Sequence, residues 1–145
     1  MIAEFETTAP ADAVTVCKDF VVEAPAETVW AALRDVGALH THLTRGFVTH
    51  TEMDGQDRIV TFANGMVARE RIVEIDEAAR RVRYRVVEAE ILRFHRASAQ
   101  VFPLEDGRSR FVWTAELAPP EAGAMVSDMM DDGVAAMQRT LGDGR

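Results

Sequence analysis

The 145-residue sequence contains one cysteine, Cys17, and one lysine, Lys18. A lone thiol cannot close an internal disulfide, so nothing points to an oxidising compartment. Cys17 lies in a strand-like run without a base beside it to lower its pKa, and it reads as a packed or edge thiol rather than a nucleophile. Positive charge is scarce. Sixteen Lys+Arg face 24 Asp+Glu, for a net charge of −8 and a pI of about 5.0. That balance excludes a general nucleic-acid binder, which needs a basic field to displace counterions from phosphate, and it is equally unsuited to anionic lipid surfaces. No apolar run approaches the ~20 residues that span a bilayer, so no membrane insertion is expected. The first residues carry Glu4 and Glu6 and no basic stretch leading into an apolar core, so no signal peptide is read and the cytoplasm is the expected location.

Several catalytic signatures are missing as well. There is no glycine-rich phosphate loop, no G-x-S-x-G and no Cys/His pair with local support. His40 and His42 are two apart in an expected helix and point away from each other, while His50 and His95 stand alone. No set with zinc-ligand spacing remains, and neither a metal nor another cofactor is expected.

What is present reads as one globular domain over about residues 12–142, after a loose, Pro10-containing lead-in over 1–11. Val14, Val16, Phe20 and Val22 alternate as a strand, interrupted at Lys18. Pro25 at a first helical position and Glu27 open a helix whose stripe is Val29, Trp30, Leu33 and Val36, and Ala38–Leu43 reads as a second, short helix. A meander of six strands follows: 47–53, 58–62, 66–75, 80–87, 92–102 and 110–117. Asp54-Gly55 and Asn64-Gly65 supply positive-φ hairpin turns. Pro119-Pro120 stops the sheet and starts a long helix with Val126, Met130, Val134, Met137 and Leu141 on one face. Gly133 inside it costs about 1 kcal/mol relative to Ala, which implies close approach to the sheet. The order is β-α-α-β-β-β-β-β-β-α, an α+β class with a strongly curved seven-stranded antiparallel sheet around the C-terminal helix.

Alternation in the paired strands around Gly65–Val86 puts Val82, Tyr84 and Val86 on one face and Arg81, Arg83 and Arg85 on the other. The clustered arginines read as a solvated sheet face. In the partner strand, Met66, Ala68 and Ile72 form the apolar face, broken by Glu70. If these are inner faces, a carboxylate stands among hydrophobes.

The order and several local strings resemble the START-related helix-grip superfamily, the polyketide cyclase/dehydrase and lipid transport group (SRPBCC). The matching residues are Val22-Glu23-Ala24-Pro25 running into Val29-Trp30, the strand Arg69–Asp76 followed by Tyr84, and Asp106-Gly107 before Trp113. Asn64-Gly65 leading into Arg69-Glu70, and His95 leading to Phe111-Val112-Trp113, look like bacterial stand-alone members of no assigned activity. The resemblance covers about residues 12–142. It implies a hydrophobic cavity between sheet and long helix, with the residues matching Glu70 and Tyr84 pointing into it as in the pollen-allergen branch. The same register turns His95, Ala97, Ala99 and Val101 inward. No catalytic motif is shared across the superfamily, so no activity follows from the fold.

Glu70, Tyr84 and His95 are therefore the candidate polar trio, and Trp30, Phe62, Trp113, Met129 and Met130 the candidate apolar walls. The trio would hold a carbonyl or hydroxyl of a ligand, or its members satisfy one another as a buried network. Aromatic and thioether side chains suit an adaptable cavity, yet core packing accounts for them equally well. The leading expectation is a binding, or transport, protein for a small hydrophobic molecule such as a lipid or polyketide-like metabolite. A cyclase/dehydratase using Glu70, Tyr84 and His95 for proton transfer is the alternative. A filled-core module acting on a protein partner through its acidic surface is the third. The oligomeric state stays open.

Overall fold

Period-two sequence becomes strand wherever both faces find a partner. In a computed structural model that describes residues 8–142, this happens seven times. The lead-in expected over 1–11 lies largely outside the described residues. The elements are β1 (Val14–Val22), α1 (Ala26–Arg34), α2 (Leu39–His42), β2 (Val48–Asp54), β3 (Asp57–Phe62), β4 (Val67–Asp76), β5 (Arg81–Glu88), β6 (Phe94–Pro103), β7 (Ser109–Ala118), a 3₁₀ turn (Pro120–Ala122) and α3 (Gly123–Gly142). The strands form one antiparallel sheet in the order β1-β7-β6-β5-β4-β3-β2, so the first strand closes one edge beside the last. This is the expected α+β helix-grip arrangement, a curved sheet holding a long C-terminal helix.

Hairpin chemistry sets the register. Gly55 and Gly65 adopt φ +64° and +89°, values that favour glycine, in the turns where Asp-Gly and Asn-Gly were read. Asn64 Oδ1 accepts the Met66 N–H at 2.9 Å, fixing the second turn. At the α1 start, Pro25 is extended (φ −63°, ψ 150°) and serves as the capping residue, one position before the first helical position expected of it. Its carbonyl accepts from the Thr28 and Val29 amides at 3.0 and 3.1 Å.

Lys18 breaks the alternation of β1 for a reason visible only in three dimensions. It stands on the face toward α3, where its Nζ donates to Ser127 Oγ and pairs with Asp131, each at 2.8 Å. The buried face of α3 is rotated from the expected stripe. Met130, Gly133, Ala136, Met137, Thr140 and Leu141 are buried, whereas Val126 and Val134 are only half-buried. Gly133 decides the rotation, since a Cβ there would lie 2.9 Å from the Trp113 ring and 3.3 Å from Phe47. The helix can settle against those rings only where it has no side chain.

The concave face of the sheet is lined unevenly. Val82, Val101 and Phe111 are fully buried there, but Ala68, Ala97, Ala99 and Ala115 occupy alternating inward positions between them. Small side chains in the middle of a curved sheet leave space that α3 borders but does not fill, and a cavity of about 140 Å³ remains. Val67 is 55% exposed, and Met66, Ile91 and Leu92 are half-buried, so its mouth lies between the β3–β4 turn and the β5–β6 connection.

Candidate functional site

Five adjacent strands each send one polar or amphipathic side chain into this space: Arg58 from β3, Glu70 from β4, Tyr84 from β5, His95 from β6 and Trp113 from β7. Register brings them together. Arg58 stands directly opposite Glu70, and its Nε donates to Glu70 Oε1 at 2.8 Å with both side chains at most one-tenth exposed. The same guanidinium donates to the Val36 carbonyl at 3.3 Å and lies 4.9 Å from the centroid of the Tyr84 ring, a cation–π distance. Glu70 is thus no lone carboxylate among hydrophobes. It is half of a buried, hydrogen-bonded ion pair.

Arg58 was legible in the sequence and went unread. It shares parity with Val60 and Phe62 on β3, and the alternation that turned Glu70 and Tyr84 inward turns Arg58 inward too. Arg69 and Arg71, on either side of Glu70, face away from it by the same alternation and clasp Asp57 on the other side of the sheet at 2.7 and 2.8 Å.

Tyr84 and His95 are held by groups outside the trio rather than by each other. Trp113 Nε1–H donates to Tyr84 Oη at 2.9 Å. The β5–β6 ladder runs only from Arg81↔Gln100 to Tyr84↔Ala97. Beyond it the Val86 amide has no carbonyl across from it, and His95 Nδ1 accepts that N–H at 3.1 Å. The neutral imidazole therefore carries its proton on Nε2, which has no hydrogen-bond partner among the described residues. Burial pushes the His95 pKa down to about 4. Burial first, and the nearby Glu70 charge second, push the Tyr84 phenol well above its ordinary range. Both side chains are neutral at physiological pH.

Residues 13–142 match the profile of the family described as polyketide cyclase / dehydrase and lipid transport. The chain belongs to that family. No curated protein matches it in sequence. Among solved structures it is similar to a protein from Thermobifida fusca (29% identity, TM-score 0.71, covering 88% of this chain and 89% of that one). It is also similar to a START superfamily protein from Mycobacterium smegmatis (12% identity, TM-score 0.74, 90% and 99% covered). A third likeness is to a point mutant of Thalictrum norcoclaurine synthase in complex with a transition-state analogue (14% identity, TM-score 0.70, 94% and 99% covered). The last two likenesses are at the level of fold.

In this member of the polyketide cyclase/dehydrase and lipid transport family, Phe62, Glu70, Tyr84, His95, Trp113, Met129 and Met130 all border the cavity. Trp30 does not. It packs in the core, 7% exposed, and its Nε1–H leaves the cavity side altogether to reach Glu77 Oε1 at 2.8 Å. Glu77 also takes Arg34 at 2.6 Å, and that hydrogen bond is the main cause of its lowered pKa. His50 is not isolated either, since the His40 ring lies 5.7 Å from it, while His42 pairs with Asp35 at 2.9 Å. Among the described residues no cluster of three or more His, Cys, Asp or Glu is placed to hold a metal, and no helix is long and apolar enough to cross a membrane.

Proposed function

We propose that the chain binds a small hydrophobic molecule in the cavity between α3 and the sheet. The observation that carries this reading is the pairing of an open, apolar-walled space with donors left over inside it. Tyr84 Oη accepts from Trp113 and keeps its own proton to give, and His95 Nε2–H points to no protein acceptor. Buried donors are costly to leave unpaired, and a ligand or water that completes them lowers that cost. Cytoplasmic placement fits a chain without a membrane-spanning helix among its described residues and remains part of the proposal.

The acid–base alternative is weakened by the same geometry. Burial lowers the His95 pKa and raises that of Tyr84, which holds both neutral near pH 7, and Glu70 is paired with Arg58. A filled core is opposed by the cavity itself. Native mass spectrometry of gently purified protein tests the reading. A mass above that of the bare chain, with a hydrophobic metabolite released on denaturation, supports it, and the bare chain mass alone speaks against it.

A further inference from the structure

The chemistry of the cavity narrows what it takes. Size comes first. A closed apolar cavity of about 150 Å³ holds benzene, and the space here is about 140 Å³. The enclosed part of a ligand is therefore about one ring with small substituents, and anything longer would extend through the mouth.

Charge comes second. Among the described residues, the only charged side chains bordering the cavity are Arg58 and Glu70, and they neutralise each other at 2.8 Å. A ligand carboxylate would meet a guanidinium already occupied and a second carboxylate beside it. A ligand ammonium would meet the reverse. Either ion would lose its water without gaining a counter-charge.

Hydrogen bonding comes third. Apart from the Arg58–Glu70 pair itself, the side-chain groups left unused are two donors, Tyr84 Oη–H and His95 Nε2–H, on rings whose centroids lie 5.9 Å apart. A carbonyl oxygen has two lone pairs to offer such donors and brings no donor of its own that needs a partner.

We propose that the cavity takes an electrically neutral, single-ring molecule whose carbonyl oxygen is held between Tyr84 and His95, with the Arg58–Glu70 pair acting as the element that rejects charged ligands. This proposal rests on the binding reading above and adds the class of ligand. A mechanistic corollary belongs to Glu70. Its function is to cancel Arg58, so replacing it by the isosteric Gln leaves a buried guanidinium without a counter-ion and turns a neutral cavity into an anion-seeking one.

The two tryptophans allow a direct test, because Trp113 borders the cavity and Trp30 does not. The full chain is titrated at neutral pH with acetophenone, ethylbenzene, benzoate and palmitate while both indole N–H resonances are followed by NMR. Acetophenone should shift the Trp113 signal and leave Trp30 in place, at least about tenfold tighter than ethylbenzene, since the hydrocarbon leaves both donors unpaired. Benzoate and palmitate should bind at least about tenfold more weakly than acetophenone. Tyr84→Phe should erase most of the advantage of acetophenone over ethylbenzene, and Glu70→Gln should reverse the order so that benzoate outcompetes acetophenone. If Glu70→Gln does not fold, Tyr84→Phe and the wild-type order decide. Benzoate or palmitate matching acetophenone on the wild-type chain overturns the proposal, as does an unchanged acetophenone preference in Tyr84→Phe. A larger hydrophobe seen by native mass spectrometry with no response to acetophenone overturns the ligand class and leaves the binding reading standing. No response to any probe together with a bare chain mass removes both.

Discussion

The two faces of the sheet use the same residue types to opposite ends. On the convex face, Arg81 and Arg83 share Glu74 at 3.1 and 3.5 Å, Arg96 pairs with Glu116 at 2.8 Å, and Arg110 pairs with Asp19. Several of these are cross-strand partners in register, Glu74↔Arg83 and Arg96↔Glu116 among them. Water reaches most of them and screens their attraction. On the concave face, Lys18 reaches out to Asp131 of α3, while the cross-strand pair Arg58–Glu70 sits in the same kind of register as the convex pairs and is almost dry. The convex pairs blunt a surface with a large number of small terms. The concave pair is costly to desolvate and costly to break, which makes it weak evidence for stability and stronger evidence for a role in what the cavity admits.

Breaking the buried pair should have the largest effect. Arg58→Ala strands the Glu70 carboxylate in an apolar space and should destabilise the fold by about 3–5 kcal/mol in urea unfolding. The Arg58→Met, Glu70→Leu double variant should recover most of that loss, because an apolar pair of similar volume has no desolvation cost.

Acid should act on the concave face next. Unfolded histidine titrates near 6.5 and folded His95 near 4. Between these pH values the unfolded chain takes up a proton that the folded chain refuses. Stability from this group is fully present above about 6.5 and falls as pH drops toward about 4, by up to about 3 kcal/mol. His95→Gln should flatten that slope, read as the difference in unfolding free energy between pH 7 and pH 4.5 for the two proteins.

Gly133→Ala places a methyl 2.9 Å from the Trp113 ring. Overpacking costs about 1–3 kcal/mol, and alanine's better helix propensity returns roughly 1. A net loss of about 1 kcal/mol is expected, with a shifted Trp113 indole N–H resonance because that ring must move against Tyr84.

The smallest effect should come from the convex face. Arg96→Ala is expected to cost less than about 1 kcal/mol, and the loss should shrink further in 0.5 M salt. A cost as large as that of Arg58→Ala would erase the distinction between the faces.

Much of this contrast could be read before any coordinates. Period-two alternation has no ambiguity once a strand is paired, so Glu70, Tyr84 and His95 received correct inward addresses, and Arg69 and Arg71 correct outward ones. Arg58 obeys the same rule, and only a strand taken as five residues without a face kept it hidden. Trp30 is a different failure. On an amphipathic helix a buried stripe looks the same whether it meets a cavity or solid core, and on α1 only the three-dimensional placement separates Leu33, which borders the cavity, from Trp30, which does not. The irregularities of β4, at Arg69/Glu70 and Ile72/Glu74, depend on how a twisted sheet closes and have no local signature. Cavity volume is likewise collective. It arises because Ala68, Ala99 and Ala115 fall on inward positions of different strands, and no single one of them announces it.

A crystal structure of gently purified protein tests the central claim most directly. The account predicts density for a compact molecule on the concave face, with an oxygen within hydrogen-bonding distance of both Tyr84 Oη and His95 Nε2 and the Arg58–Glu70 pair intact beside it. Side chains of Phe47, Phe62 and Met129 collapsed into that space, leaving Tyr84 and His95 bonded to each other, would contradict it.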